Sequence, residues 1–265
     1  MSKAGIGLPF SERTVWGLAP QTRRVLLSLL IIVVIWELVG RYGIKTGLIF
    51  APLSDIFLRM FEMGRSGELW KHVKASGSVF LIGYTLAVIF GILLGILIAS
   101  SRRFSNYLDP WLGALYATPM IALAPVFIVL MGIGPSSKIV IIFIEAFFPI
   151  TVNAALGIRS TDSDVVEASK SFGATRGQVI RTVLLPFAAP FIIAGMRIAV
   201  ARALAGVLVA EIFGSVAGIG NMIWFSAEAY DMPKLFTGVL LLVGTSILLM
   251  GILSRFERYV APWRK

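Results

Sequence analysis

Six long apolar runs, each with few charged side chains, constrain this chain more than any other feature of its sequence. They lie at approximately 25–40, 79–100, 111–131, 138–158, 187–211 and 235–254. A helix of about 20 apolar residues crosses the hydrocarbon core of a bilayer, and the runs lack the alternation typical of a membrane β-strand. We therefore predict an all-α integral membrane protein with six transmembrane helices.

The composition excludes several other classes of protein. Only 14% of the residues are charged, whereas a soluble globular chain carries about 25%. The chain has no cysteine and a single histidine, His72, so we expect no disulfide, metal site or bound cofactor. We attribute the net charge of +10 to basic loops that set membrane topology, and not to nucleic-acid binding.

The distribution of basic residues predicts the orientation. Lys and Arg number 14 on the face that carries both termini and 8 on the opposite face, and the richer face is expected to be cytoplasmic. The predicted organisation is a cytoplasmic tail at 1–24, a transmembrane domain at 25–254 with a cytoplasmic loop at 160–186, and a cytoplasmic tail at 255–265. The predicted location is the bacterial inner membrane. We expect residues 52–74 to form an amphipathic interfacial helix with Trp70 at headgroup depth.

Small residues recur every fourth position of the second run, at Gly83, Ala87, Gly91, Gly95 and Ala99. This spacing places them on one helix face, where another helix can approach closely. The pattern is typical of helix packing, and a helix beside a translocation path would show it too.

The stretch EASKSFGATRGQVIRTVLLP, residues 167–186, interrupts the apolar runs with charges and turn residues. Asp164 and Glu167 have the spacing of a capping box, as do Thr175 and Gln178. Gly173 suits the left-handed position that ends a helix, and Pro186 closes the loop. The sequence predicts two short helices with a glycine corner. They either lie on the membrane surface against the ends of their own spans or dock a cytoplasmic partner.

The same stretch resembles the signature loop of permease subunits of bacterial ABC importers. That signature is EAA, three residues, Gly, nine residues, an aliphatic residue, any residue, Leu and Pro. Matching positions are Glu167-Ala168-Ser169, Gly173, Val183, Leu185 and Pro186, with serine in place of the second alanine. GELWKHVKAS, LMGIGPSSKI, AFFPITVNAALGIRS, GVLVAEIFG and GIGNMI resemble the nitrate/sulfonate/taurine/bicarbonate branch, over roughly 50–260.

The resemblance implies a type I ABC importer permease. Such a permease is a homodimer around a central path in the lipid bilayer, with two ATPase subunits docked beneath it. A periplasmic or lipid-anchored binding protein delivers the solute, which we expect to be small and anionic. ATP and Mg belong to the ATPase, and this chain has no phosphate-binding loop of the type G-x-x-x-x-G-K-[ST]. The loop residues implied in ATPase coupling are Glu167, Ala168, Ser169, Gly173, Ala174, Arg176, Leu185 and Pro186.

Charged residues within or beside the apolar runs are functional candidates because each is costly in a membrane. They are Glu37, Glu145, Arg197, Arg202 and Glu211. Arg197 or Arg202 could line the path for an anionic solute. Alternatively, Glu145 and Arg202 could form an ion pair that fixes two spans, since their depths from the outer ends are similar. Glu211 could belong to an outer gate or reach towards the interface as a snorkelling acid.

Two other classes of protein fit the sequence less well. A secondary transporter driven by an ion gradient would need a paired internal repeat or matching broken helices, and the sequence shows no such repeat. An intramembrane enzyme would need clustered catalytic groups, but the acids are scattered along the chain and His72 falls outside the spans.

Overall fold

A computed structural model describes residues 20–43 and 47–262 of the protein. The α-helices are α1 (Pro20–Leu38), α2 (Leu53–Ser66), α3 (Glu68–Ala99), α4 (Arg102–Ala117), α5 (Ala124–Met131), α6 (Pro135–Arg159), α7 (Ser163–Ser171), α8 (Arg176–Val179), α9 (Leu185–Gly214), α10 (Ile219–Glu228) and α11 (Met232–Val260). Short π-helical segments follow α1 (Val39–Gly43) and α8 (Ile180–Leu184), and a 3-10 turn (Met120–Leu123) precedes α5. The described residues contain no β-strand, which confirms the predicted fold class. Most of the predicted tail at 1–24 and the last residues of the tail at 255–265 lie outside the described part.

Five helices are long and apolar enough to cross a membrane, and a sixth crossing requires α4 and α5 together. The predicted run 111–131 is therefore not one straight helix, because its two halves meet at a bend of 79°. The break has a local cause. Thr118 adopts an extended conformation, as a residue before proline prefers, and Pro119 then separates the two helices.

Helix α6 lies at the centre of the bundle, packed against α3 on one side and α9 on the other. The small residues of α3 form the first contact, as their spacing predicted. A Cβ atom added at Gly95 would lie 2.6 Å from the Cβ of Ala154, and one added at Gly83 would lie 2.9 Å from the Ile139 carbonyl oxygen. Gly195 of α9 faces Asn153 of α6 just as closely. Because these glycines have no side chain, the three central helices can pack this closely.

The predicted interfacial helix at 52–74 is shorter than expected. Helix α2 ends at Ser66, and Gly67 has a φ of +83°, a left-handed conformation that glycine adopts readily. Residues 68–74, including Trp70, already belong to the membrane-crossing helix α3. The turn at Gly67 is what separates the amphipathic segment from the span.

The connectivity defines two ends of the bundle. Helices α3 and α6 run towards the segment 160–186, and α9 runs away from it. We call the end that holds residues 160–186 the loop end. The other end, which we call the opposite end, holds the starts of α3, α6 and α11, the end of α9, and α10.

Candidate functional site

The first short helix of the predicted loop is α7, and its N-cap is Asp162. The Asp162 carboxylate accepts a hydrogen bond of 2.9 Å from the Asp164 backbone amide. The predicted capping box of Asp164 with Glu167 is therefore wrong by two residues. Within the described part of the chain, the Glu167 carboxylate has no hydrogen-bond or ion-pair partner, and it is exposed.

The corner after α7 forms as predicted. Gly173 has a φ of +85°. Its amide donates to the Lys170 carbonyl at 2.9 Å, and the Ala174 amide donates to the Ser169 carbonyl at 3.1 Å. These two bonds satisfy the last carbonyls of α7 and end the helix in a Schellman motif.

The second short helix begins with the predicted capping box. The Thr175 amide donates to the side-chain oxygen of Gln178 at 2.8 Å, and the Gln178 amide donates to the Thr175 hydroxyl at 3.4 Å. The sequence predicted that Pro186 would close the loop. Instead, the helix continues through a π-helical turn into α9. The Leu185 amide bonds to the Ile180 carbonyl, five residues back. This wider turn accommodates Pro186, which has no amide to donate.

The loop presents one face outwards and rests on the ends of the spans with the other. Phe172, at the corner, is 92% exposed, and Glu167, Ala168 and Arg176 are exposed beside it. Val179 is buried. A cavity of about 340 Å³ lies between the loop and the ends of α3 and α6, with Lys170 and Arg176 among its lining residues. The outward face is free to meet another molecule.

The predicted ion pair between Glu145 and Arg202 is absent from the described residues. Glu145 is 8% exposed and packs beside Gly206, with the Ile121 backbone at the break between α4 and α5 near its carboxylate. The Arg202 guanidinium lies over the Tyr116 ring, 4.7 Å from its centroid. The two charges act on each other through space without a direct contact.

Arg197, the other predicted intramembrane cation, is paired. Its guanidinium contacts the Glu257 carboxylate and so ties α9 to α11. Glu37 likewise pairs with Arg41, at 2.5 Å, and accepts a hydrogen bond from the Ser54 amide. Glu257 and Glu37 thus each join two helices. Of the two intramembrane arginines, Arg197 is paired, and Arg202 forms no ion pair among the described residues.

Glu211 has 0% exposure, so it is not a snorkelling acid at the interface. The Ser76 hydroxyl lies 2.8 and 2.9 Å from its two carboxylate oxygens, and the Gly220 amide donates to it at 2.8 Å. Ser76 in turn accepts from the Ile219 amide at 2.7 Å. A side chain at Gly218 would overlap the carboxylate. Glu211 and Ser76 therefore fasten α3 and α9 to the start of α10.

The segment between α9 and α10 has further anchors. Nδ1 of His72 lies 2.9 Å from the Gly218 carbonyl oxygen and 3.1 Å from its amide nitrogen. The Lys138 ammonium donates to the Ser215 hydroxyl at 2.7 Å, and the Asn221 amide group donates to the Ser215 carbonyl at 2.7 Å. Residues from α3, α6, α9 and α10 thus converge at the opposite end.

Comparison with known proteins decides the family. A family model described as "Binding-protein-dependent transport system inner membrane component" matches residues 87–265. The chain belongs to this family of ABC importer permeases. The predicted function as the membrane subunit of an ABC importer follows from this membership, and the alternative of a secondary transporter falls away.

Three curated permeases align with most of this permease. It is 33% identical to the putative aliphatic sulfonates transport permease protein SsuC of Bacillus subtilis (strain 168), over 88% of this chain and 85% of that one. It is 32% identical to the formylaminopyrimidine transport permease protein ThiX of Halalkalibacterium halodurans, over 90% and 95%. It is 28% identical to the taurine transport system permease protein TauC of Escherichia coli (strain K12), over 94% and 92%.

Solved structures share the fold of the permease. The MetNI methionine ABC transporter in an inward-facing form superposes with a TM-score of 0.65 at 21% identity, covering 72% of this chain and 95% of that one. An amino acid ABC transporter with histidines gives 0.60 at 15% identity, covering 76% and 98%.

The candidate residues of the permease fall into separate groups. The residues predicted to couple to an ATPase cluster at the loop end, whereas Glu211 lies at the opposite end, and Glu145 and Arg202 lie between them. Sequence reasoning missed the partners Ser76, Tyr116 and Glu257. The closely spaced Gly218 and Gly220 were a usable signal for Glu211, because a buried carboxylate accepts backbone amides most easily where no side chain intervenes.

Proposed function

We propose that residues 160–186 form the element through which an ATPase drives this permease. The observation that carries the proposal is the corner at Phe172. It is an almost fully exposed aromatic ring held between two capped helices. An exposed large apolar side chain on a rigid frame is typical of a protein-binding surface. Glu167, Ala168, Ser169, Gly173, Ala174 and Arg176 surround it, and Leu185 and Pro186 join the loop to α9.

The proposed orientation places the loop end in the cytoplasm, with both termini. The bias of Lys and Arg towards that end supports it. Two copies of the permease would enclose the path in the bilayer, two ATPase subunits would bind ATP and Mg beneath it, and this chain itself would bind no cofactor and carry no catalytic site. The opposite end would receive a periplasmic or lipid-anchored binding protein.

We propose a small solute with an anionic group as the substrate. The names of the relatives include sulfonates and taurine, although formylaminopyrimidine is also among them. Arg202 is the residue that favours this class. It is half-buried in α9 and keeps its charge free of a carboxylate contact among the described residues, whereas Arg197 is neutralised by Glu257. Glu145 would hold the broken span in place through the Ile121 backbone.

Copurification tests the docking role. The tagged permease is expressed with an ABC ATPase subunit with which the unaltered permease copurifies, and Phe172→Ser is expected to lose most of the bound ATPase while inserting normally. Phe61→Ser on α2 at the opposite end, which also replaces an exposed phenylalanine, is the matched control and should retain it. Retention of the ATPase by Phe172→Ser would refute this docking surface. Transport by the permease alone under an ion gradient would refute the ATP-driven function.

A further inference from the structure

A second cavity, of about 620 Å³, opens at the opposite end of the bundle. Its walls come from His72 of α3, the segment 215–221, α10 and the start of α11. A volume of this size is within the range of small-molecule sites, about 300–1,000 Å³. Residues 160–186 and the intramembrane charges are not among its lining residues, whereas His72, Ser215 and Asn221, which anchor the segment after α9, are.

The cavity contains a buried hydroxyl without a partner. Ser226 is 3% exposed, and its Oγ forms no hydrogen bond with any of residues 20–43 or 47–262. Such an atom costs about 1–3 kcal/mol unless something satisfies it. Asn221, also buried, lines the same cavity, and its amide nitrogen is committed to the Ser215 carbonyl. Its side-chain oxygen accepts no hydrogen bond within the described chain. The residues that line the cavity thus include one hydroxyl and one amide oxygen that are not committed within the described chain.

The charged residues at the cavity are already balanced. The Lys234 ammonium lies 2.6 Å from the Glu68 carboxylate, and the Asp231 carboxylate lies 3.0 Å from the Arg59 guanidinium. With two cations and two anions compensated, the walls exert little net attraction on an isolated anion. The walls therefore suit a solute that carries one group of each charge, with a hydrogen-bond donor and an acceptor and no net charge.

Apolar side chains surround the polar groups. Met222 is buried in the wall, and Val216, 93% exposed, and Phe225 stand at the rim. Pockets for small ligands combine such apolar walls with a few placed polar groups. The carbon skeleton of a solute would contact these side chains while its polar ends reach Ser226 and Asn221.

We propose that this cavity binds a small zwitterionic solute, one anionic and one cationic group with no net charge, before it enters the path. The inference rests on the proposed function, because it requires the opposite end to face the solute. It also narrows the substrate class, from any solute with an anionic group to one that carries a compensating cation.

Binding of labelled taurine, a zwitterion, to the permease–ATPase complex in nanodiscs tests this proposal in a scintillation proximity assay. Unlabelled ethanesulfonate has the same anionic group without the ammonium and should compete about tenfold less well than unlabelled taurine, the effect of one lost charge-assisted hydrogen bond. Ser226→Ala should weaken taurine binding about two- to tenfold without loss of thermal stability, because the hydroxyl has no partner in the fold. Ser226→Met should abolish binding by filling the cavity.

Ser78→Ala and Ser78→Met are the matched controls, since Ser78 is exposed on α3 and bonds only to its own helix. Both should bind taurine normally. Equal competition by ethanesulfonate, unchanged binding by Ser226→Met, or absence of taurine binding would each overturn the inference. ATPase copurification reports the proposed function separately, so a complex that forms but binds no taurine would refute only the cavity. Loss of binding-protein affinity in Ser226→Met with unchanged taurine binding would assign the cavity to protein docking instead.

Discussion

The hydroxyl of Ser76 on α3 lies 2.8 Å from the carboxylate of Glu211 on α9, and both side chains are buried. Because Ser76 also accepts the Ile219 amide and Glu211 also accepts the Gly220 amide, this pair joins two spans and the start of α10. A fully buried carboxylate is costly unless its oxygens are satisfied, so each of these donors matters.

Ser76→Ala should therefore destabilise the permease. It removes one donor from Glu211 and leaves the Ile219 amide without its acceptor, and each loss is worth about 1–3 kcal/mol. The expected result is a clear fall in the thermal unfolding midpoint in detergent. Ser78→Ala, two residues away and exposed, should leave the midpoint nearly unchanged. Equal midpoints for the two variants would contradict the role assigned to Glu211.

Because α3 approaches α6 closely at Gly95, replacing this glycine by alanine should lower stability more than the same replacement at Gly244. Gly95→Ala would place a Cβ atom 2.6 Å from Ala154 and 2.9 Å from the Thr151 carbonyl oxygen, so the helices must separate at a cost of about 1–3 kcal/mol. Gly244→Ala on α11 meets nothing within 4 Å and should be neutral or stabilising by up to about 1 kcal/mol through helix propensity. Unfolding midpoints of the two variants measure the difference. A neutral Gly95→Ala would show that the α3–α6 contact is looser than described.

The corner at Gly173, in the proposed docking segment 160–186, depends on one backbone conformation. Gly173→Ala forces a residue with a Cβ into the left-handed region, at a cost of about 1–2 kcal/mol. We expect the amides of Gly173 and Ala174 to exchange hydrogen faster and the bound ATPase to decrease. Gly177→Ala, in the helical α8 with open space around it, is the control and should change neither readout. Unchanged exchange at Ala174 in the Gly173 variant would argue against the Schellman motif.

The positions of the two intramembrane arginines predict different transport phenotypes. Arg202→Gln should abolish uptake with normal membrane expression, because it removes the arginine that has no ion-pair partner in the described chain. Arg202→Lys should restore part of the uptake, since lysine keeps the charge but stacks on Tyr116 less well. Arg197→Gln should mainly lower stability, by about 1 kcal/mol or less for a partly exposed pair. Normal uptake by Arg202→Gln would remove this residue from the path.

Local signals in the sequence predicted local structure well. The Thr175 capping box and the Gly173 corner depend only on neighbouring residues, and both formed as expected. The N-cap of α7 was misplaced because Asp162 and Asp164 both fit the pattern, and only the backbone conformation distinguishes them. The break at Pro119 was missed because the apolar run continues through it, although proline was a visible signal.

Long-range partners could not be predicted in the same way. Similar depths in two spans suggested that Glu145 and Arg202 would pair, but depth fixes only one coordinate and leaves the rotation of each helix open. The broken α4–α5 segment supplies Tyr116 and Ile121 to the two charges instead. The burial of Glu211 likewise depends on how the segment after α9 folds back, which no spacing along the chain specifies.

The chain from Arg176 to Gly214 forms one helical segment of 39 residues, with a π-helical turn at Ile180–Leu184. At 1.5 Å per residue it is a rod of about 58 Å. The corner at Phe172 immediately precedes one end, and Glu211 lies near the other. A tilt of about 10° around its middle would move each tip by about 5 Å in opposite directions. If the segment tilts as a rigid body, a displacement at one end is accompanied by an opposite displacement at the other, where the bonds of Glu211 to Ser76 and Gly220 would have to follow or break.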